Sequence, residues 1–358
     1  MTITRKRFLE TTAYWTLGGS AAASMAALAS CSEDGSEQAD NPSSNDEETA
    51  SESAMENETS QPIISRIKMA TVGASDLTSF REWYPEWLGY EVIEDSTVSP
   101  EMAASWGAPY SAGRPFVLLR PESKTDVYVR AVEVDAVPGY QAMTTWGWNS
   151  IEIIVDDVYA LYERIKDGPF EIIGEPHSLG GGFASIHAMQ VKGANEEILY
   201  LTCETGDRET SSLPIPGSFV DRIFIMILAG SNIKTAMNFY ANTFGMSSQG
   251  PWNFNLGMAA KAQNLPEDST FPLGLTAARE RGNSIEHDGY PAATTGPRLR
   301  APGQLPPGVA MTTFNVDTLD NLGVSFITDP ITEYGDNRSA TFIGPATELV
   351  ELIEDPGS

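Results

Sequence analysis

The stretch "RIKMATVGASDLTSFREWYPEWLGY", residues 66–90, joins a strand, a polar turn and an amphipathic helix that stops at Gly89. A second stretch, "RIFIMILAGSNIKTAMNFYANTFGM" (222–246), repeats the plan. Asp76 and Gly89 are 13 residues apart, as are Asn232 and Gly245, and Tyr84 and Tyr240 each follow the Asp or Asn by eight. Repetition at this distance points to internal duplication.

Two further pairs keep the same order. "EIIVDDVYALYERIKDGPFEIIGEP" (152–176) matches "TTFNVDTLDNLGVSFITDP" (312–330), each a strand ending in Val-Asp, a short helix or helical turn, and a strand. "GANEEILYL" (193–201) matches "GPATELVEL" (344–352), each a Gly-led turn into a final strand. The pattern predicts two modules, 63–205 and 219–356, joined by a linker at 206–218. Within the first, strand 64–73, helix 77–87 and strands near 90–94, 115–120 and 126–134 form one unit. Strand 149–155, helix 157–166 and strands near 170–174, 183–191 and 197–203 form the next. The expected class is α+β: two modules, each of paired βαβββ units curling a mixed sheet around a cleft.

Residues 1–31 read as an export signal: a basic start, "TRKRFLE", then a weakly apolar run diluted by Gly, Ser and Thr. The start resembles the twin-arginine type, with Lys6 where the second arginine is usual. "LASC" resembles a bacterial lipoprotein signal, which implies lipidation of Cys31, a membrane contact through that lipid alone, and a periplasmic or cell-surface location. With Cys31 lipidated, Cys203 has no disulfide partner. Residues 32–62 carry ten acids and no Lys or Arg, the composition of a disordered tether. Removing those ten charges and the leader's net +2 from the chain's −27 leaves −19 on residues 63–358, a surface that repels nucleic acid.

The Asp-Leu…Trp-Tyr…Leu-Gly run of 76–89, the "VDDVYALYERI" helix start and the Gly-led final strands together resemble the vicinal oxygen chelate superfamily. That superfamily contains glyoxalase I, bleomycin- and fosfomycin-resistance proteins, methylmalonyl-CoA epimerase and extradiol dioxygenases. The resemblance implies a cleft in which strand side chains, usually His and Glu, hold a divalent metal that binds two neighbouring substrate oxygens. Here those places fall on Met69, Ser150, Tyr200 and Arg130 or Val132 in the first module, and on Ile225, Met311 and Glu351 in the second. None makes an ordinary ligand set. The expectation is therefore no metal and no other cofactor.

Period-two alternation places Thr71 beside Met69, Glu152 beside Ser150, and Ile198 and Thr202 beside Tyr200 on the cleft face. Trp146, Trp148 and Asn149 fall at its mouth, and His187 and Gln190 on a neighbouring strand. The catalytic candidates are His187, Arg130, Glu152 and Tyr200. The substrate-binding candidates are Met69, Thr71, Trp146, Trp148, Asn149, Ser150 and Gln190. An inward Arg130 needs an anionic partner, either Glu152 or a substrate carboxylate. His177 and His287 read as exposed loop residues. The glycines at 180–182 lack the Lys-Ser/Thr of a phosphate loop. The partner predicted is a small organic ligand; homodimerisation is left open. The expected function is binding or converting that ligand in the first module, as a metal-free isomerase or lyase if an enzyme. The alternatives are a sequestering protein of bleomycin-resistance type and a metal-dependent lyase or ring-cleaving dioxygenase.

Overall fold

The structure is a computed structural model that describes residues 61–180 and 183–357. The leader, Cys31 and the tether up to residue 60 lie outside the described residues. The chain runs through four similar units. Unit 1 comprises β1 (Ile64–Ala74), α1 (Thr78–Trp83), β2 (Glu91–Thr97), α2 (Pro100–Ser105), β3 (Pro115–Arg120) and β4 (Tyr128–Glu133). Unit 2 comprises β5 (Gly147–Val155), α3 (Val158–Ile165), β6 (Glu171–Gly180), β7 (Phe183–Lys192) and β8 (Ile198–Glu204). Unit 3 comprises β9 (Val220–Gly230), α4 (Ile233–Phe244), β10 (Ser247–Asn255), α5 (Gly257–Ala262), β11 (Thr270–Ala277) and β12 (Ser284–Gly289). Unit 4 comprises β13 (Gly308–Val316), β14 (Ile331–Tyr334), β15 (Asn337–Ile343) and β16 (Leu349–Glu354), with turns where the others have a helix.

Local chemistry sets the helix ends. Asp157 accepts hydrogen bonds from the Tyr159 and Ala160 amides at the start of α3, and Asn232 accepts one from Thr235 at the start of α4. Gly89 and Gly245 close α1, after its π-type last turn, and α4. Both are left-handed, with φ of 75° and 67°.

Units pair into two eight-stranded sheets, in the orders β14-β15-β16-β13-β1-β4-β3-β2 and β10-β11-β12-β9-β5-β8-β7-β6. Each sheet thus holds two paired units, but not the pairs that chain order suggests. Unit 1 shares a sheet with unit 4, and unit 2 with unit 3. The segment 206–218 returns the chain to the sheet it left, while the loops at 134–146 and 290–307 carry it across. At the centre of each sheet the first strands meet antiparallel, β1 on β13 and β5 on β9. Every residue of β5 and β13 is buried, which suits near-continuous apolar strands covered on both faces.

The main core lies between the sheets. It gathers Ile67, Ala70 and Val72 of β1, Ile151 and Ile153 of β5, Met226 and Leu228 of β9 and Phe314 of β13, with Phe80, Leu161 and Phe244 from the helices. Two buried tyrosines stitch the halves: Tyr84, in the π-type turn that follows α1, donates to Glu197 (3.4 Å) in the turn before β8, and Tyr240 of α4 donates to Glu348 (2.8 Å) in the turn before β16. The opposite, concave face of each sheet forms a cleft.

Candidate functional site

In the first cleft, between units 1 and 4, four inward strand positions meet. Thr71 on β1 lies beside Arg130 on β4, and Thr313 on β13 lies beside Glu351 on β16; all four are buried. Arg130 Nε donates to Thr71 Oγ1 (3.0 Å), Nη1 to the Tyr334 hydroxyl, and Nη2 to Glu351 Oε2 (3.1 Å). Glu351 Oε2 also accepts from Thr313 Oγ1 (2.7 Å), and Oε1 accepts from Trp106 Nε1 (2.8 Å) and the Tyr334 hydroxyl (2.9 Å). The Trp106 ring covers the guanidinium at 4.5 Å.

Arg130 and Glu351 are each only 1% exposed, so this is an ion pair in a low-dielectric setting. Burial works against the arginine's charge, and Tyr334 and Glu351 outweigh it, leaving the guanidinium more firmly charged than usual. Burial also pushes the Tyr334 hydroxyl up, with Arg130 opposing, so that it stays protonated. Above the network opens a cavity of about 440 Å³, walled by Met69, Met102, Phe116 and Leu118, with Lys68, Glu94, Glu333 and Tyr334 among its polar lining.

The second cleft, between units 2 and 3, places Glu152 beside Tyr200 and Ile227 beside Glu286 at the equivalent positions. Thr202 Oγ1 donates to Glu152 Oε1 at 2.6 Å. The space in front is packed: Ile198, Tyr200 and Ile227 join Phe254, Leu273, Leu275 and Tyr290 in one apolar cluster. Burial and the nearby Asp288, Tyr200 and Glu286 raise the Tyr290 phenol well above its ordinary range.

The expected single site is therefore divided. Arg130, Thr71 and Met69 face the first cleft; Glu152, Ser150, Tyr200 and Gln190 belong to strands of the second sheet. Glu351, expected in the second module, is the carboxylate that pairs with Arg130. His187 points away from the cleft, to the helix-bearing face that further along β7 carries the core residues Met189 and Val191; there Nδ1 and the Tyr159 hydroxyl of α3 share a 2.7 Å hydrogen bond and Nε2 meets the Ala184 carbonyl at 3.0 Å. A shift of one residue along β7 decides this, because its neighbours Ala188 and Gln190 face the cleft.

Trp148 is core rather than cleft mouth: it packs on Phe314 and donates to the Leu349 carbonyl (2.8 Å). Trp146 donates to Thr295 (3.0 Å). Asn149 holds the turn before β5 through the Met143 amide and the Thr145 carbonyl. His287, expected in an exposed loop, is buried on β12 against Tyr240, with Nε2 at 2.9 Å from Thr276 Oγ1, and burial lowers its pKa to about 3. His177 is exposed, on β6. Burial raises the Cys203 thiol, an inert setting for a cysteine. Trp106, Thr313, Tyr334 and Glu286 went unread as site residues. Of these, Thr313 and Glu286 carry a sequence signal: Thr313 stands two residues after Met311, and Glu286 follows Arg130 by 156 residues, as Asn232 follows Asp76.

Comparison with solved structures places this architecture. Glyoxalase I from Zea mays superposes with a TM-score of 0.52 at 17% identity, over 81% of this chain and 92% of that one. A proposed dioxygenase from Bacillus subtilis superposes with a TM-score of 0.55 at 11% identity, over 84% of this chain and 87% of that one. The fold is that of the vicinal oxygen chelate proteins. At these identities the likeness is one of fold. No family model matches the chain, and no curated protein sequence does.

A divalent metal of the kind the fold often carries does not fit the first cleft. Glu351 already accepts four hydrogen bonds, using its lone-pair capacity, and a fixed guanidinium stands 3.1 Å away. In the second cleft one of the four places is Ile227, which cannot coordinate. No group of three His, Cys, Asp or Glu side chains placed to hold a metal occurs among the described residues.

Proposed function

We propose that this is an exported, lipid-anchored protein that binds or converts a small organic molecule in the first cleft, with no metal in the family's usual place. The observation that carries this reading is the buried Arg130–Glu351 pair at the foot of a cavity of about 440 Å³, within the size of ordinary small-molecule sites. Export and anchoring rest on the leader and on Cys31.

If the protein is an enzyme, an isomerase or lyase is the form the cleft supports, with Arg130 polarising an oxygen of the substrate. Non-catalytic sequestration is the second reading. In its favour, Tyr334 is held protonated, and Tyr128, also lining the cavity, is pushed up to about 12 by burial and its bond to Asp126. Neither is suited to proton transfer near neutral pH.

The test uses full-length protein isolated from its native host, extracted with organic solvent and analysed by mass spectrometry beside a Leu118→Trp variant that fills the cavity. A small molecule recovered from wild type and lost from the variant is expected. Its return unchanged after incubation marks sequestration, and its conversion marks an enzyme. Equal recovery from both proteins contradicts binding in this cleft.

A further inference from the structure

We infer that the Arg130 guanidinium takes the place of the metal as the electropositive anchor of the first cleft, and that its ligand is a neutral, largely apolar molecule presenting a carbonyl or other acceptor oxygen. This rests on the reading of that cleft as the binding site. A guanidinium carries five N–H donors. Thr71, Tyr334 and Glu351 take three, which leaves one each on Nη1 and Nη2 without a protein partner among the described residues. Thr71 and Glu351 hold the fork from below, the Trp106 ring covers one face, and Arg130 itself lines the cavity. Little reorganisation is then needed to aim those donors at an oxygen.

Charge selects against an anion. The cavity's two cations are already paired, Lys68 with Asp126 and Arg130 with Glu351. Glu94 and Glu333 add negative charge at the rim, where Glu333 accepts only from Ser99 (2.9 Å) among the described residues. A carboxylate entering here meets two carboxylates and gains no unpaired cation. A neutral molecule meets apolar walls from Met69, Met102, Phe116, Leu118 and Ile353 and a pair of donors at the floor. A cationic head is turned away from that floor by Arg130.

The test uses the full chain and the fluorescent neutral ketone prodan, displaced in turn by 2-acetylnaphthalene, 2-ethylnaphthalene and 2-naphthoate. The ketone is expected to compete at least about tenfold better than the hydrocarbon, the scale of one hydrogen bond from a charged donor, and better than the anion. In the paired variant Arg130→Met with Glu351→Met that advantage falls to about twofold or less while hydrocarbon binding persists. Arg130→Lys, which keeps a charge opposite Glu351 but loses the fork, shrinks the advantage too and serves if the paired variant does not fold. A ketone advantage that survives these changes, or an anion that competes best, overturns the inference. Leu118→Trp separates the two levels. If it leaves prodan binding intact, the cleft reading fails; if it abolishes binding while ketone and hydrocarbon compete equally, only the role given to Arg130 fails.

Discussion

At four equivalent strand positions the first cleft carries Thr71, Arg130, Thr313 and Glu351, and the second carries Ile227, Glu286, Glu152 and Tyr200. The strand plan is the same; the side chains are not. In the first, a cation and a carboxylate neutralise one another beneath an open cavity. In the second, an isoleucine and a tyrosine join an apolar cluster that fills the space. Duplicated architecture fixes where inward side chains sit, and the residues at those places decide whether a cleft stays open. Outside the clefts the duplication is kept closely: the Tyr84–Glu197 and Tyr240–Glu348 contacts repeat one arrangement on both sides of the core.

The sharpest way to break the comparison is Arg130→Met alone. It strands Glu351 in the interior, so a loss of about 3–5 kcal/mol is expected in chemical denaturation, most of it recovered when Glu351→Met is added. A small loss from the single change contradicts an interior ion pair.

The shared Tyr–Glu contacts predict a pH effect common to both halves. Burial raises the carboxyls of Glu197 and Glu348 to about 7 from an ordinary 4.5. The folded chain then holds protons that the unfolded chain releases, so these two groups stabilise most below about pH 4.5. Their contribution falls between about pH 4.5 and 7, by roughly 1 kcal/mol per unit for each, and levels off above. His287, held at about 3 by burial against an ordinary 6.5, works the other way over the same range, so denaturation across pH 5–7 should show the decline from the two glutamates offset by roughly half. Glu197→Gln with Glu348→Gln should abolish the decline and leave the rise with pH that His287 contributes.

Smaller effects compare the clefts directly. Trp106→Phe removes one hydrogen bond to Glu351 and Thr202→Val one to Glu152, each expected to cost about 1–2 kcal/mol. Only the first should weaken ligand binding. His187→Ala, on the face away from the cleft and part-exposed, should change stability by about 0.5 kcal/mol or less and leave ligand binding unaltered.

Much of the fold was legible because periodicity and capping are local. The strand and helix of 66–90, their repeat at 222–246 and the Gly-led final strands could all be read from residues near one another in the chain. Which units share a sheet could not, because that depends on central strands such as β1 and β13 meeting across more than two hundred residues. The site followed the same division. The sequence shows that an inward Arg130 needs an anion and that Thr71 faces the cleft beside Met69; that Thr71 also neighbours Arg130 shows only in the structure. The partner of Arg130 proved to be Glu351, 221 residues away, rather than Glu152. Trp106 and Tyr334 lie outside the four repeated strand places and gave no signal. His187 was lost to a single step of strand register.

The most direct test of the central claim is the metal content of the full chain, isolated without added metal or chelator and measured by elemental analysis beside Glu351→Gln. The account predicts well under one equivalent of iron, manganese, zinc or nickel in both proteins. One equivalent in wild type that is lost with Glu351→Gln contradicts it, and would make Glu351 a ligand and Arg130 a bystander.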